Sequence, residues 1–182
     1  TVFMLVADEI DRVLPTIRSR CRLIRAGAPT REQSLEWLKS QGVQEAERKL
    51  TEAGGMPLVV FDEDARFRLS DEMRERFLAY LKLGRAAPPA QALSVADKDV
   101  TLSAAALFLS RWGWDLASAQ VGCDPQYFPE FAEEIKAIAQ AASPAGLYTW
   151  INSVRDIRRV AEHPLNAKTM IEALLISYAR NI

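Results

Sequence analysis

The sequence predicts a mostly α-helical protein, and three observations carry that prediction. Apolar residues recur at alternating spacings of four and three in Leu102, Ala106, Leu109, Gly113 and Leu116, and comparable stripes run from Phe131 to Ala142 and from Leu147 to Ala161. That spacing lines one face of a helix. Residues with cap chemistry stand just ahead of such stripes at Ser70, Ser143 and Asn166, where a side-chain oxygen can accept from an otherwise unpaired N–H of the first turn. Beyond about residue 30 no Gly-rich tract or long β-branched run competes with helix formation.

Taken in order, the elements begin with the apolar run Val2 to Ala7. A continuous rather than alternating run reads as a strand buried on both faces of a parallel sheet. Nothing later in the chain supplies neighbours for it, so the expectation is that these residues belong to a larger α/β domain. Asp8 to Leu14 is expected to be a short turn or helix. Pro15 then opens a helical turn through Cys21, since proline is tolerated where the first N–H has no partner. Arg22 to Ile24 returns to extended chain.

A new group starts at Ala28 to Thr30, with Thr30 and Gln33 as a capping pair. Its first helix runs to about Ser40, burying Leu35 and Leu38 and ending at Gly42. A second, from about Gln44 to Ala53, buries Ala46, Leu50 and Ala53 and ends at Gly54 and Gly55. Pro57 opens a third, carrying Leu58, Val59 and Phe61. The acidic stretch Asp62 to Asp64 has no apolar period and reads as a linker.

From Ser70 the chain reads as a helical bundle. Its first stripe is Met73, Phe77, Tyr80 and Leu81, broken by Gly84 and by Pro88 and Pro89. A short helix is expected around Ala90 to Ser94 and a long one from about Asp99 to Gln120. Helices follow from Pro129 and from Pro144, the latter stopped by His163 and Pro164. A last helix, capped by Asn166, turns Met170, Leu174 and Tyr178 inward.

Composition narrows the function classes. The chain has 182 residues, 49% hydrophobic and 26% charged, with a formal net charge of −1. It therefore carries no overall positive field to draw it onto phosphate backbones, and strong DNA binding by itself is not expected. Cys21 and Cys123 lie far apart and His163 is the single histidine, so no Cys/His set closes a zinc site. Two cysteines without a secretory signal read as reduced thiols in a cytoplasmic protein. No apolar stretch reaches the roughly 18 residues of a membrane span, so no membrane partner is expected. Neither a P-loop nor a G-x-S-x-G elbow occurs, so neither a complete ATP site nor a hydrolytic triad is expected.

One stretch is more specific. Arg12-Val13-Leu14-Pro15-Thr16-Ile17-Arg18-Ser19-Arg20-Cys21 resembles the Ser-Arg-Cys motif of the clamp-loader branch of the AAA+ ATPases, and Val2 to Ala7 resembles the sensor 1 strand ahead of it. His163-Pro164-Leu165-Asn166 and Leu174 to Tyr178 resemble the last helices of the same family. The arginine at position 18 is similar to the non-hydrolysing branch more than to the gamma and tau ATPases. So is Gly54-Gly55-Met56-Pro57-Leu58, which lacks the arginine that a nucleotide-sensing lid carries.

The resemblance implies three parts. Residues 1–22 would be the tail of an AAA+ α/β domain, 23–62 a small three-helix lid and 66–182 a helical collar for oligomerisation. It implies a non-catalytic stator of the DNA polymerase III clamp loader, acting in DNA replication. Its partners would be the gamma or tau and delta subunits, with the sliding clamp and primed DNA reached through the complex. Arg20 matches the arginine finger that reaches ATP on a neighbouring subunit, supported by Arg18 and Ser19. No cofactor is expected within these residues, and the family's zinc ligands would lie in an N-terminal domain outside them.

Plainer accounts stand beside these. Arg20 also fits a surface arginine in a short turn, and Arg18 a structural ion pair. Ser19 is expected to bond backbone, and Cys21 to be a small buried residue rather than a reactive thiol. Arg155, Arg158 and Arg159 share a helical face and suit either a partner's acidic groups or solvent, with solvent preferred. Trp112, Trp114 and Trp150 suit a core more than an interface. Two alternatives to the stator remain: an ATP-hydrolysing gamma or tau subunit, and a helical adaptor unrelated to replication.

Overall fold

The computed structural model describes residues 2–7, 10, 13–24, 26–62, 68–96, 100–161 and 166–182. It divides into two compact units, Thr1–Thr30 and Arg31–Ile182, and the described residues contain ten α-helices and no strand.

In the first unit the regular element is α1, Pro15–Arg18, with its proline in the first turn. The strand expected at Val2 to Ala7 is not formed, and all six residues are exposed. A strand is held by ladder hydrogen bonds to a neighbour, and no described residue pairs with this run. Apolar character alone does not make a strand. The turn expected at Asp8 to Leu14 falls largely outside the described residues, as does Arg12.

The second unit opens with three helices, α2 (Arg31–Ser40), α3 (Ala46–Glu52) and α4 (Val59–Asp62). They enclose a small core of Leu38, Ala46, Leu50, Ala53 and Val60. Helices α2 and α3 end alike. After α2, Val43 N–H bonds Leu38 C=O at 3.1 Å and Gly42 N–H bonds Lys39 C=O at 3.0 Å. After α3, Gly55 N–H bonds Leu50 C=O and Gly54 N–H bonds Thr51 C=O, both at 2.9 Å. The paired bonds satisfy the last carbonyls and require a left-handed residue, which Gly42 at φ 74° and Gly54 at φ 64° supply. Helix α4 begins at Val59 rather than at Pro57; Val60 is buried in it, while Phe61, and Leu58 just before it, stay exposed.

The rest of the unit is the bundle. Helix α5 (Asp71–Leu81) is followed by a 3₁₀ turn at Gly84–Ala86, α6 (Pro89–Val95) and α7 (Leu102–Gln120). A second 3₁₀ turn at Pro129–Phe131 leads into α8 (Ala132–Ala141), α9 (Pro144–Val160) and α10 (Ala167–Asn181). Helix α7 packs against α8, α9 and α10, which is why it is buried along so much of its length. Asp62, expected to open the linker, ends α4 instead, while the rest of that linker, the expected beginning of α7 at Asp99 and the stop at His163 lie outside the described residues.

The caps read at Ser70, Ser143 and Asn166 are made. Ser70 accepts from Met73 N–H at 3.3 Å, Ser143 from Gly146 N–H at 3.1 Å and Asn166 from Thr169 N–H at 3.2 Å. Ser70→Ala is expected to lower the unfolding free energy by about 1 kcal/mol in urea titration, with Ser70→Asp restoring most of it.

Aromatic residues fill the bundle's centre. Trp112, Trp150, Tyr80, Tyr178 and Phe77 are fully buried. Their polar atoms are paired: Trp112 Nε1 donates to Tyr178 Oη at 3.3 Å, which donates to Leu81 C=O at 2.7 Å. Trp150 Nε1 donates to Leu174 C=O at 3.0 Å and Tyr80 Oη to Leu175 C=O at 3.3 Å. These bonds offset the cost of burying polar atoms and tie α5, α7, α9 and α10 together. Burial raises the Tyr178 hydroxyl above its ordinary pKa, so it remains a neutral donor.

Candidate functional site

The arginine segment of the first unit lies on and just after α1. Ser19 Oγ donates to Thr16 C=O at 3.2 Å and Arg20 N–H to Ile17 C=O at 3.0 Å, extending α1 by a further turn. Ser19 thus bonds backbone, as its position suggested. Arg18, Ser19 and Arg20 are all exposed, and the Arg20 guanidinium makes no ion pair or hydrogen bond among the described residues. A planar cation presented this way is open to an anionic oxygen from outside its own unit. Cys21 is exposed, contrary to the expectation of a small buried residue, and both cysteines are free thiols. The turn that presents Arg20 presents its neighbour too, because α1 buries none of its residues.

Other candidates sort by burial. Trp112 and Trp150 are core, whereas Trp114 is exposed on the far side of α7. Arg155 and Arg159 stand at 4.0 and 3.8 Å from Asp156 in solvent-exposed pairs, which contribute little. Arg158 is exposed as well. Among the described residues no group of His, Cys, Asp and Glu could hold a metal ion, and no helix is long and apolar enough to cross a membrane.

The second unit contains a feature the sequence did not reveal. A cavity of about 260 Å³ lies where α3 and the segment before α5 meet the bundle, and five cations line it: Arg48, Lys49, Arg68, Arg74 and Arg111. Arg48 bonds Glu45 at 2.6 Å and Asp71 at 3.1 Å, and the Asp71 bond raises its pKa despite some desolvation. Arg74 bridges Glu130 at 2.9 Å and Glu52 at 3.6 Å. Arg68 donates to Val60 C=O at 3.1 Å, and Arg111 sits 5.7 Å from the centre of the Tyr127 ring. These cations are scattered from position 48 to 111, with no spacing that would mark them as one set. Only tertiary folding collects them.

One wall of the cavity depends on Asp115, a fully buried acid on α7. Its carboxylate accepts from the backbone N–H groups of Gln126, at 2.8 Å, Tyr127, at 3.0 Å, and Phe128, at 2.8 Å. Burial pushes this carboxyl above the usual range, the three amides pull it back, and the charge of Glu130 adds to the rise. The loop so held reaches α3, where Gln126 Nε2 donates to Gly54 C=O at 2.6 Å. The signal was present in the sequence, because Asp115 falls three residues after Trp112 on the buried stripe. An acid there needs donors.

Compared with known protein families, curated proteins and solved structures, the chain matches none.

Proposed function

We propose that this chain is a subunit of an AAA+ sliding-clamp loader. Within that class, the motif resemblance favours the delta-prime type, a stator that does not hydrolyse ATP and offers Arg20 to ATP on a neighbouring gamma or tau subunit. In this reading residues 1–22 are the end of an AAA+ domain, 23–62 the lid and 66–182 the collar. The protein would act in the cytoplasm, with delta, the sliding clamp and primed DNA as further partners.

The observation that carries the reading is the Arg20 guanidinium, exposed and unpaired among the described residues within a Ser-Arg-Cys motif. Arginine suits the task because its fork of donors matches the γ-phosphate oxygens, where charge spreads as the phosphoryl group transfers. A helical bundle with its own aromatic core is compatible with a collar.

The test is Arg20→Ala in the full-length protein, reconstituted with gamma or tau and delta. Assembly by size-exclusion chromatography is expected to be unchanged, while clamp- and DNA-stimulated ATPase falls by about tenfold or more. Arg20→Lys should not restore it, since an ammonium lacks the planar fork. Unchanged ATPase would overturn the arginine's assignment, and failure to bind gamma, tau or delta would overturn the class.

A further inference from the structure

We propose that the group α2–α4 is a rigid body docked on the bundle through a polar joint, which parts and recloses without unfolding either side. Each side has an interior of its own. Leu38, Leu50, Ala53 and Val60 belong to one buried apolar cluster and the bundle's residues to another, and among the described residues the two share no member. Helices α2 and α3 are also tied to each other, since Arg31 reaches Glu47 at 3.5 Å and Thr51 at 3.1 Å.

Polar contacts cross the joint. Arg48 on α3 meets Asp71 on α5 at 3.1 Å, and Arg74 on α5 meets Glu52 on α3 at 3.6 Å. Arg68 donates to Val60 C=O at 3.1 Å, and Gln126 Nε2 to Gly54 C=O at 2.6 Å. Val60 of one apolar cluster and Phe108 and Phe128 of the other line the cavity of about 260 Å³, so open space stands where packing would weld the two cores together. Bodies that meet through polar contacts, without a continuous apolar interface, move relative to one another as a rule.

The bridges are arranged so that parting costs little. Each arginine holds one carboxylate across the joint and one on its own side: Arg48 keeps Glu45 at 2.6 Å, and Arg74 keeps Glu130 at 2.9 Å. Neither guanidinium loses its last acid when the joint opens. Asp71 and Glu52 are released to water, and the Asp71 side chain is already 81% exposed while bridged. Exposed pairs of this kind move an equilibrium by only about a few-fold, and salt screens them. The bundle's face of the joint stays in place, because Asp115 fixes the backbone of residues 126–128 through their amides. Gly54 lets the two faces seat: a Cβ there would stand 2.6 Å from the Tyr127 ring. The joint is independent of Arg20, so its failure would leave the clamp-loader reading where it stands.

The experiment places spin labels on the full chain, with Cys21→Ser and Cys123→Ser removing the native thiols. Glu36→Cys on α2 with Asn152→Cys on α9 spans the joint, and Glu75→Cys on α5 with Asn152→Cys lies within the bundle; all three positions are exposed. Pulsed electron double resonance reads both distances at low salt and in about 1 M sodium chloride, where the screening length falls to about 3 Å. In high salt the spanning pair is expected to gain a second distance, while the bundle pair keeps one narrow distance. Glu52→Gln combined with Gln126→Ala should raise the parted fraction at low salt by about fivefold or more. Glu45→Gln, which removes a partner on the arginine's own side, should change it by less than about twofold. A spanning distance that stays single in salt and in the double variant would overturn the proposal. Equal broadening of the bundle pair, or an equal rise in Glu45→Gln, would overturn it as well. Should the double variant not fold, the parent's salt response in the two label pairs decides the matter.

Discussion

Asp115→Ala is expected to destabilise the second unit by about 3 to 5 kcal/mol in urea unfolding, because it leaves three backbone N–H groups without their acceptor. Those groups belong to Gln126, Tyr127 and Phe128, and Phe128 is itself almost fully buried between Phe108 and Trp112. The loss should spread beyond the loop. Gln126 holds Gly54 at the end of α3, so amide hydrogen exchange should speed up there as well as at 126–128. Asp115→Asn keeps an acceptor but directs an amide N–H toward one of the donors, and about 2 kcal/mol of loss is expected.

The acid also carries a pH dependence whose sign follows from its environment. Burial, the largest influence, sets the folded carboxyl above its unfolded value, which is about 3.9. The folded state therefore binds the proton more tightly. Its contribution to stability is fully present below the unfolded pKa and is lost as pH rises through the folded one. Urea midpoints of the parent relative to Asp115→Asn should fall across that interval, and a rise would mean that the three amides outweigh burial.

Trp150→Ala is expected to cost a similar amount, about 3 to 5 kcal/mol, by opening a cavity at the centre of the bundle. Trp150 is fully buried, packs edge-on against Tyr178 at 4.9 Å between ring centroids and donates to Leu174 C=O. Helix α7 comes close at Gly113, where an added Cβ would stand 3.1 Å from both the Trp150 ring and Ile151. Loss of the indole removes the surface on which α7, α9 and α10 meet. Trp150→Phe keeps part of the ring while removing the N–H, so thermal and urea unfolding should show a smaller loss.

The bundle's helices were legible because their signals are local. Ser70, Ser143-Pro144 and Asn166 announce starts whatever the chain does elsewhere, and the stripes of α7 and α9 repeat within a few turns. Two expectations failed where the outcome needed distant partners. Val2 to Ala7 has the composition of a buried strand but forms none, since pairing is a property of two segments. Cys21 has the usual character of a buried residue, yet α1 is too short to cover it.

Sequence by itself determined the helical class, the caps and glycine stops, the inward stripes, and the motif that singles out Arg20. Tertiary structure alone decided that Arg48, Lys49, Arg68, Arg74 and Arg111 surround one cavity, and that Asp115 is met by three amides from a loop. The physical reason is range. Helix periodicity and capping act over three or four residues and leave a mark in the order of the chain. Convergence of charges and satisfaction of a buried carboxylate depend on which helices pack together, and no short stretch of sequence records that.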